Sequence, residues 1–234
     1  MAEDGRAPAD AQRRQWQDAY DDHPGMYGLD PSAPAVYAAR LFRSSDAEEI
    51  LELGAGQGRD ALYFAREGFT VRALDFSSSA LEQLRDSARA QGIGARVTTT
   101  VHDVREPLPL PDHAVDAVFA HMLLCMALRT GEIGALLAEV RRVLRPGGVL
   151  VYTVRHTGDA HHGAGRAHGD GIWEHGGFAV HFFSRALVDA LAEGWRLDEV
   201  RDFEEGALPR RLWRVTQTRP RGKNRSVFPR PETG

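Results

Sequence analysis

The chain has 234 residues, 42% hydrophobic and 26% charged, with a formal net charge of −4; it can build one large domain with a substantial core, and it lacks the basic footprint of a nucleic-acid-binding body. One cysteine, Cys125, excludes an internal disulfide and any multi-cysteine metal site. No apolar run reaches membrane-span length and no apolar signal core opens the chain, so a cytoplasmic protein without a membrane partner is expected.

In chain order, residues 1–10 are small and polar and are expected to lie outside the fold. Residues 50–53 read as a first strand, and 59–67 as a helix stopped by Gly68. Residues 69–74 form a second strand ending at Asp75. Ser79 and Glu82 have the spacing of a capping box for a helix through Arg89. Residues 96–101 and 115–120 read as strands three and four. Residues 132–144 read as a helix closed by Arg145-Pro146-Gly147-Gly148. Residues 149–154 are a fifth strand, apolar apart from Thr153. Ser184 caps a helix to Glu193, with strands near 195–203 and 212–217. The last sixteen residues, Arg219 to Gly234, carry five basic residues and three prolines and are expected to be a solvated tail. This alternation predicts an α/β fold: a Rossmann-like, doubly wound, mostly parallel sheet with helices on both faces. Such sheets bind ligands beyond the carboxyl ends of their strands, where the glycine loop, Asp75, Asp103 and His121 should converge.

The most informative run is Glu52-Leu53-Gly54-Ala55-Gly56-Gln57-Gly58-Arg59-Asp60, between the first strand and the first helix of that pattern. Glycines at alternate positions allow a sharp turn and a close ligand approach, and the following helix N-terminus favours an anionic group. A dinucleotide loop requires G-x-G-x-x-G. Here Arg59 occupies the place of its third glycine. Asp75, 21 residues after Gly54, would accept hydrogen bonds from ribose hydroxyls, or it simply opens a turn. Asp103, at the end of the third strand, would bond an adenine amine, with the adjacent Val104 amide addressing the ring; an Asx-turn is the plainer alternative.

Together the glycine loop, Asp75-Phe76-Ser77, Asp103, the Asp116 strand and Leu144-Arg145-Pro146-Gly147-Gly148-Val149-Leu150 resemble the class I S-adenosylmethionine-dependent methyltransferases over roughly residues 15–218. Gly54 to Asp60, Phe64, Gly68 to Val71 and Leu74 to Ser77 look most like the small-molecule branch that includes the tellurite-resistance and thiopurine methyltransferases. That branch commonly has a cysteine between the first two glycines, where this chain has Ala55. The resemblance implies a seven-stranded sheet with its last strand antiparallel, a methyltransferase domain over residues 36–218, and a small-molecule acceptor. Residues 1–35 would be an extension that folds over the cofactor, with Trp16, Tyr20 and Tyr27 as lid, unless these aromatics only anchor a helix to the core. The implied cofactor residues are Tyr27, Glu52, Gly54, Ala55, Gly56, Gly58, Arg59, Asp75, Phe76, Ser77, Asp103, Val104 and His121.

The acceptor side is expected in residues 121–126 and 155–181. His121 and His156 are the catalytic candidates, each able to serve as a base. Met122, Cys125, Arg155, His156 and His181 are candidates to line the substrate site, Cys125 as core or pocket lining rather than a nucleophile. Residues 155–181 hold six of the ten histidines and seven glycines, read as a flexible lid loop in which His161, His162 and His168 are solvated. No standard zinc spacing is present, and no metal is expected. The reading is a monomeric or weakly dimeric methyltransferase using S-adenosylmethionine on a small molecule, with a soft thiol or chalcogen nucleophile as first acceptor. O- or N-methylation of a metabolite with a histidine base is the alternative; a non-catalytic S-adenosylmethionine binder and an NAD oxidoreductase are further ones.

Overall fold

A computed structural model describes residues 7–206 and 210–221. Its elements are α1 (Ala7–Asp22), α2 (Ala33–Ser44), β1 (Glu49–Leu53), α3 (Arg59–Arg66), β2 (Thr70–Asp75), α4 (Ser78–Ala90), β3 (Val97–Val101), β4 (Val115–His121), α5 (Thr130–Val143), β5 (Leu144–Arg155), β6 (Arg166–Gly169), β7 (Ile172–His175), β8 (Phe178–His181), α6 (Arg185–Leu191), β9 (Arg196–Glu205) and β10 (Arg210–Thr218). The main sheet has seven strands in the order β3-β2-β1-β4-β5-β10-β9. The first five are mutually parallel, and β10 runs antiparallel to both β5 and β9. This is the expected seven-stranded sheet with an antiparallel last strand. Strand order reverses between β1 and β4, so the crevice opens above those two strands.

The central strands are apolar because both faces are covered. Leu51, Leu53, Val118, Leu150 and Tyr152 join Ile133, Leu136, Leu137 and Val140 of α5 on one side. On the other, Ile50, Val71, Ala117, Phe119 and Val151 meet Phe42 of α2, Phe64 of α3 and Leu81 and Leu84 of α4. Phe64 is central there, edge-on to Phe119 at 5.2 Å between ring centres.

Several local expectations are corrected. The α4 cap is Ser77, whose Oγ accepts from the Ala80 amide at 3.2 Å. Ser79 instead receives a hydrogen bond from Gln17 of α1 at 2.9 Å. Leu144 to Gly148 does not separate helix from strand, because β5 begins at Leu144 itself. Val115 pairs with Leu144 and Ala117 with Val149, so the intervening residues form a bulge. Gly147 has φ +88° there, and a Cβ on Gly148 would lie 2.8 Å from the carbonyl oxygens of Arg145 and Asp116. Arg219 exchanges main-chain hydrogen bonds with this bulge, donating to Gly148 and accepting from Gly147. The expected tail therefore starts inside the fold; its residues 222–234 lie outside the described residues. At the other end α1 begins at Ala7, so residues 7–10 belong to a helix.

The largest correction concerns residues 155–181. They build a three-stranded antiparallel sheet, β6-β7-β8. Gly176 and Gly177, both at positive φ, turn β7 into β8 between the paired His175 and Phe178, which is the favoured two-residue hairpin geometry. His168 bonds Glu174 at 2.6 Å, His161 stacks on His175 at 4.7 Å, and His162 packs against Phe182 at 5.5 Å. His161 and His168, expected in solvent, are thus partly buried and engaged in structure, whereas His162 stays exposed as expected despite its ring contact.

Candidate active site

The loop from β1 into α3 holds Gly54, Gly56 and Gly58 at φ +71°, +52° and +86°. L-residues avoid that region. A Cβ on Gly58 would stand 2.1 Å from Cδ1 of Leu84, and one on Gly56 would stand 2.7 Å from the Tyr20 hydroxyl. Gly58 precedes α3, whose first turn receives no side-chain cap. Beneath the loop, Glu52 is 3% exposed and its Oε2 is buried without a hydrogen-bond partner. Burial, then the neighbouring Asp60, push its pKa well above the usual carboxylate range. Asp60 is committed elsewhere: it accepts from the amide and hydroxyl of Ser32 at 2.7 and 2.8 Å and ties the segment before α2 to α3.

Asp75 closes β2 beneath the same loop. Its Oδ2 accepts from the Gly56 amide at 2.8 Å and its Oδ1 from the Ser77 amide at 2.9 Å. Burial raises its pKa, and these amides oppose the shift. Asp103 lies two residues beyond β3 in a bidentate pair with Arg105, which also reaches Asp10 of α1 at 2.7 Å. Burial works against the Asp103 charge, but Arg105 and Arg13 outweigh it and hold the carboxyl below the ordinary range. Val104 packs against the core, and the Arg13 guanidinium lies 5.7 Å over the Phe76 ring.

Helix α1 covers this corner. Gln12 accepts from the Ala179 amide of β8 at 2.7 Å, and Trp16 packs on Phe178 at 5.1 Å and Tyr20 at 5.7 Å. Gln83 donates to the Tyr20 carbonyl, and Gln57 of the glycine loop to that of His23. Trp16 and Tyr20 therefore both anchor the helix and cover the loop. Tyr27 does not join them; it is 45% exposed, with the Arg59 guanidinium 5.8 Å from its ring.

On the other wall, Leu123 touches Gly54, where a Cβ would lie 3.0 Å from its Cδ1. Met122 turns the chain at φ +58°. His121 sits between two partners: Nδ1 is 2.8 Å from the Thr153 hydroxyl, and Nε2 is 3.4 Å from Glu205. Cys125 is fully buried, and burial pushes its thiol up to about 11, the behaviour of a core residue. Arg155 is buried in a pair with Asp159 and lies 5.1 Å over the Phe182 ring; its charge is already met. The His156 Nδ1 accepts from the Gly158 amide at 2.9 Å, its Nε2 meets Asp202 at 3.0 Å, and its ring stacks on Trp213. Neither nitrogen is left for a substrate, so geometry gives His156 a bracing role between β5 and the β9–β10 hairpin. His181 is buried, bonded through Nδ1 to the Leu128 carbonyl at 2.8 Å.

Sequence reasoning did not single out Glu205 or Arg210, which pair across the β9–β10 hairpin, nor the role of Thr153. Thr153 had a signal, as the one polar residue in an apolar strand. Glu205 had none, being one acid among several on an amphipathic strand. Among the described residues, no three His, Cys, Asp or Glu side chains come together as metal ligands.

Residues 50–148 match a family model described as a methyltransferase domain. The seven-stranded fold is that of the class I methyltransferases, and this stretch resembles their domain. Over 115 residues it is 34% identical to the demethylmenaquinone methyltransferase of Tropheryma whipplei (strain Twist), covering 49% of this chain and 44% of that one. The chain thus spans less than half of that relative. The domain superposes on the Burkholderia thailandensis 1,6-didemethyltoxoflavin-N1-methyltransferase, solved with 1,6-didemethyltoxoflavin and S-adenosylhomocysteine. The TM-score is 0.72 at 19% identity, covering 94% of this chain and 92% of that one. TehB from Haemophilus influenzae shares the fold with a TM-score of 0.63 at 13% identity, over 87% and 67% of the two chains. S-adenosylmethionine is the cofactor that this resemblance implies, and the residues present fit it. At Gly54, Gly56 and Gly58 the loop leaves no room for a Cβ, and the buried, unpartnered Glu52 oxygen could take a donor such as the cofactor's ammonium.

Proposed function

We propose that this protein moves a methyl group from S-adenosylmethionine to a small-molecule acceptor. The observation that carries this is the unpartnered Glu52 Oε2 beneath a loop whose Gly54, Gly56 and Gly58 leave no room for a side chain. When bound, the cofactor supplies an electrophilic methyl on a sulfonium sulfur. Glu52 would meet its ammonium, Asp75 would receive the ribose hydroxyls on lone pairs not used by the Gly56 and Ser77 amides, and Asp103 would meet the adenine amine. Tyr20 and Leu123 flank the glycines and would exclude water from the reacting centre. A thiol or chalcogenide would need little beyond that alignment, whereas an alcohol or amine also needs a group to take its proton. The protein would act as a monomer or weak homodimer in the cytoplasm; no described helix is long and apolar enough to cross a membrane.

Calorimetry tests the cofactor assignment: S-adenosylhomocysteine should bind and NAD should not, and Asp75→Ala should weaken the former at least tenfold. Tight NAD binding without S-adenosylhomocysteine binding would overturn the proposal. A labelled-methyl screen over amines, phenols, thiols, selenite and tellurite then reads the acceptor class, and no turnover of any of them would leave a non-catalytic binder as the better reading.

A further inference from the structure

At the carboxyl edge of the sheet, beside the glycine loop, stands a charged group that the assignments above leave unused: Tyr27, Arg59, His121, Glu205 and Arg210. Glu205 is the last residue of β9 and pairs across the hairpin with Arg210. Arg59, from the start of α3, lies over the Tyr27 ring. The position of the protons follows from the hydrogen bonds. The Met122 amide donates to the Thr153 hydroxyl at 2.9 Å, and Thr153 is fully buried. The Thr153 proton then has one neighbouring acceptor, His121 Nδ1 at 2.8 Å. A neutral His121 with an accepting Nδ1 carries its proton on Nε2, which points at Glu205 Oε2. His121 therefore has no free nitrogen with which to attack an acceptor proton. The open end of the chain is the Glu205 carboxylate, 27% exposed. Among the described residues, no hydrogen bond reaches its other oxygen.

Resting on the methyltransferase reading, we propose that Glu205, positioned by His121, binds the N–H or O–H of the acceptor and takes its proton as the methyl arrives. The acceptor's lone pair forms the new bond to the methyl carbon, and the pair of the breaking carbon–sulfur bond stays on sulfur, leaving a neutral thioether. The proton passes from nitrogen or oxygen to Glu205, which becomes a neutral acid and returns it to solvent. The His121 hydrogen bond, with the charges of Arg59 and Arg210, outweighs burial and holds the Glu205 carboxyl below the usual glutamate range. It is thus charged and ready at neutral pH. A thiolate or chalcogenide carries no proton for Glu205 to take, so this group suits acceptors that bring an N–H or O–H rather than soft anions.

The test uses the full chain and a panel of imidazole, aniline, catechol and thiophenol with labelled S-adenosylmethionine. Methyl transfer is expected to the first three rather than the thiol. Glu205→Gln should lower kcat at least a hundredfold while S-adenosylhomocysteine affinity stays within twofold; Glu205→Asp should recover part of the loss. His121→Asn should lower kcat about tenfold and move the acid limb of the rate profile to higher pH, because the hydrogen bond that lowers the Glu205 pKa is gone; a bracing role would leave that limb in place. Calorimetry of the same panel with S-adenosylhomocysteine bound supplies a readout without turnover, in which imidazole should bind Glu205→Gln at least fivefold more weakly than wild type. Turnover confined to the thiol, wild-type kcat in Glu205→Gln, or panel binding indifferent to residue 205 would each overturn the inference. Failure of S-adenosylhomocysteine to bind the wild type would instead sink the methyltransferase reading itself.

Discussion

Glu52 is the residue whose energetics and function oppose each other most directly. Its carboxyl is buried with one oxygen unpartnered, a costly arrangement unless a donor arrives. Glu52→Gln should therefore stabilise the ligand-free protein at neutral pH, by about 1–3 kcal/mol, while weakening S-adenosylhomocysteine binding. The sign with pH follows from its raised pKa. A carboxyl whose folded pKa exceeds the unfolded one contributes stability at low pH and loses it as pH rises through the folded pKa. The gain from glutamine should thus shrink on acidification, as Glu52 protonates; urea unfolding at pH 7.5 and 5 checks both statements. Gly58 shows the opposite economy. At φ +86° and against Leu84, Gly58→Ala should cost at least about 1–3 kcal/mol from backbone strain alone, read as a lower denaturation midpoint. The identity of both residues was legible in the sequence because the constraint is local: a turn from strand to helix and an acid just before it. The engagement of His156 and Arg155 was not, because their partners Asp202 and Asp159 are fixed by the β9–β10 hairpin and by a turn that no spacing rule predicts.

Among elements, α1 differs most from what its sequence implied. Residues 7–10 lack any apolar stripe, yet they begin a helix, because tertiary contacts with β8, α4 and Arg105 supply what intrinsic propensity does not. Since Trp16 bridges Phe178 and the Tyr20 ring that covers Gly56, Trp16→Ala should loosen this cover. The expected result is about tenfold weaker S-adenosylhomocysteine binding with a far-UV spectrum close to wild type, measured by calorimetry and circular dichroism. Unchanged affinity would reduce α1 to a scaffold. The β6–β8 sheet escaped notice for a different reason. Its strands are four residues each, too short for a period to stand out among seven glycines. The Gly176-Gly177 pair was a hairpin signal hidden in a segment whose composition resembled a loop.

For the whole molecule, the pH dependence of stability sums groups of opposite sign. Burial lowers the pKa of His181, which bonds the Leu128 carbonyl in its neutral form. Its unfolded counterpart takes up a proton first, so stability should fall as pH drops below the ordinary histidine value of about 6.5. Asp159, held low by Arg155 against its own burial, adds a loss at lower pH, as the folded carboxyl is finally protonated. Glu52 and Asp75 act in the opposite sense. In denaturant titrations between pH 7.5 and 5.5, His181→Leu should show a smaller acid-induced loss than wild type; an equal loss would assign the slope to other groups.

The sequence by itself determined the alternation of strands and helices, the mostly parallel sheet they imply, and the glycine loop at the switch point. These follow from apolar periodicity and from backbone conformations that only certain residues adopt, both of which act over a few neighbouring positions. Tertiary structure alone decided which polar side chains are already satisfied. His121 reads in the sequence as a base beside the methyl donor, and in the fold its two nitrogens meet Thr153 of β5 and Glu205 of β9. A proton's position depends on what lies within hydrogen-bond distance in space, and residues 121, 153 and 205 come together only when β4, β5 and the β9–β10 hairpin have packed into one sheet.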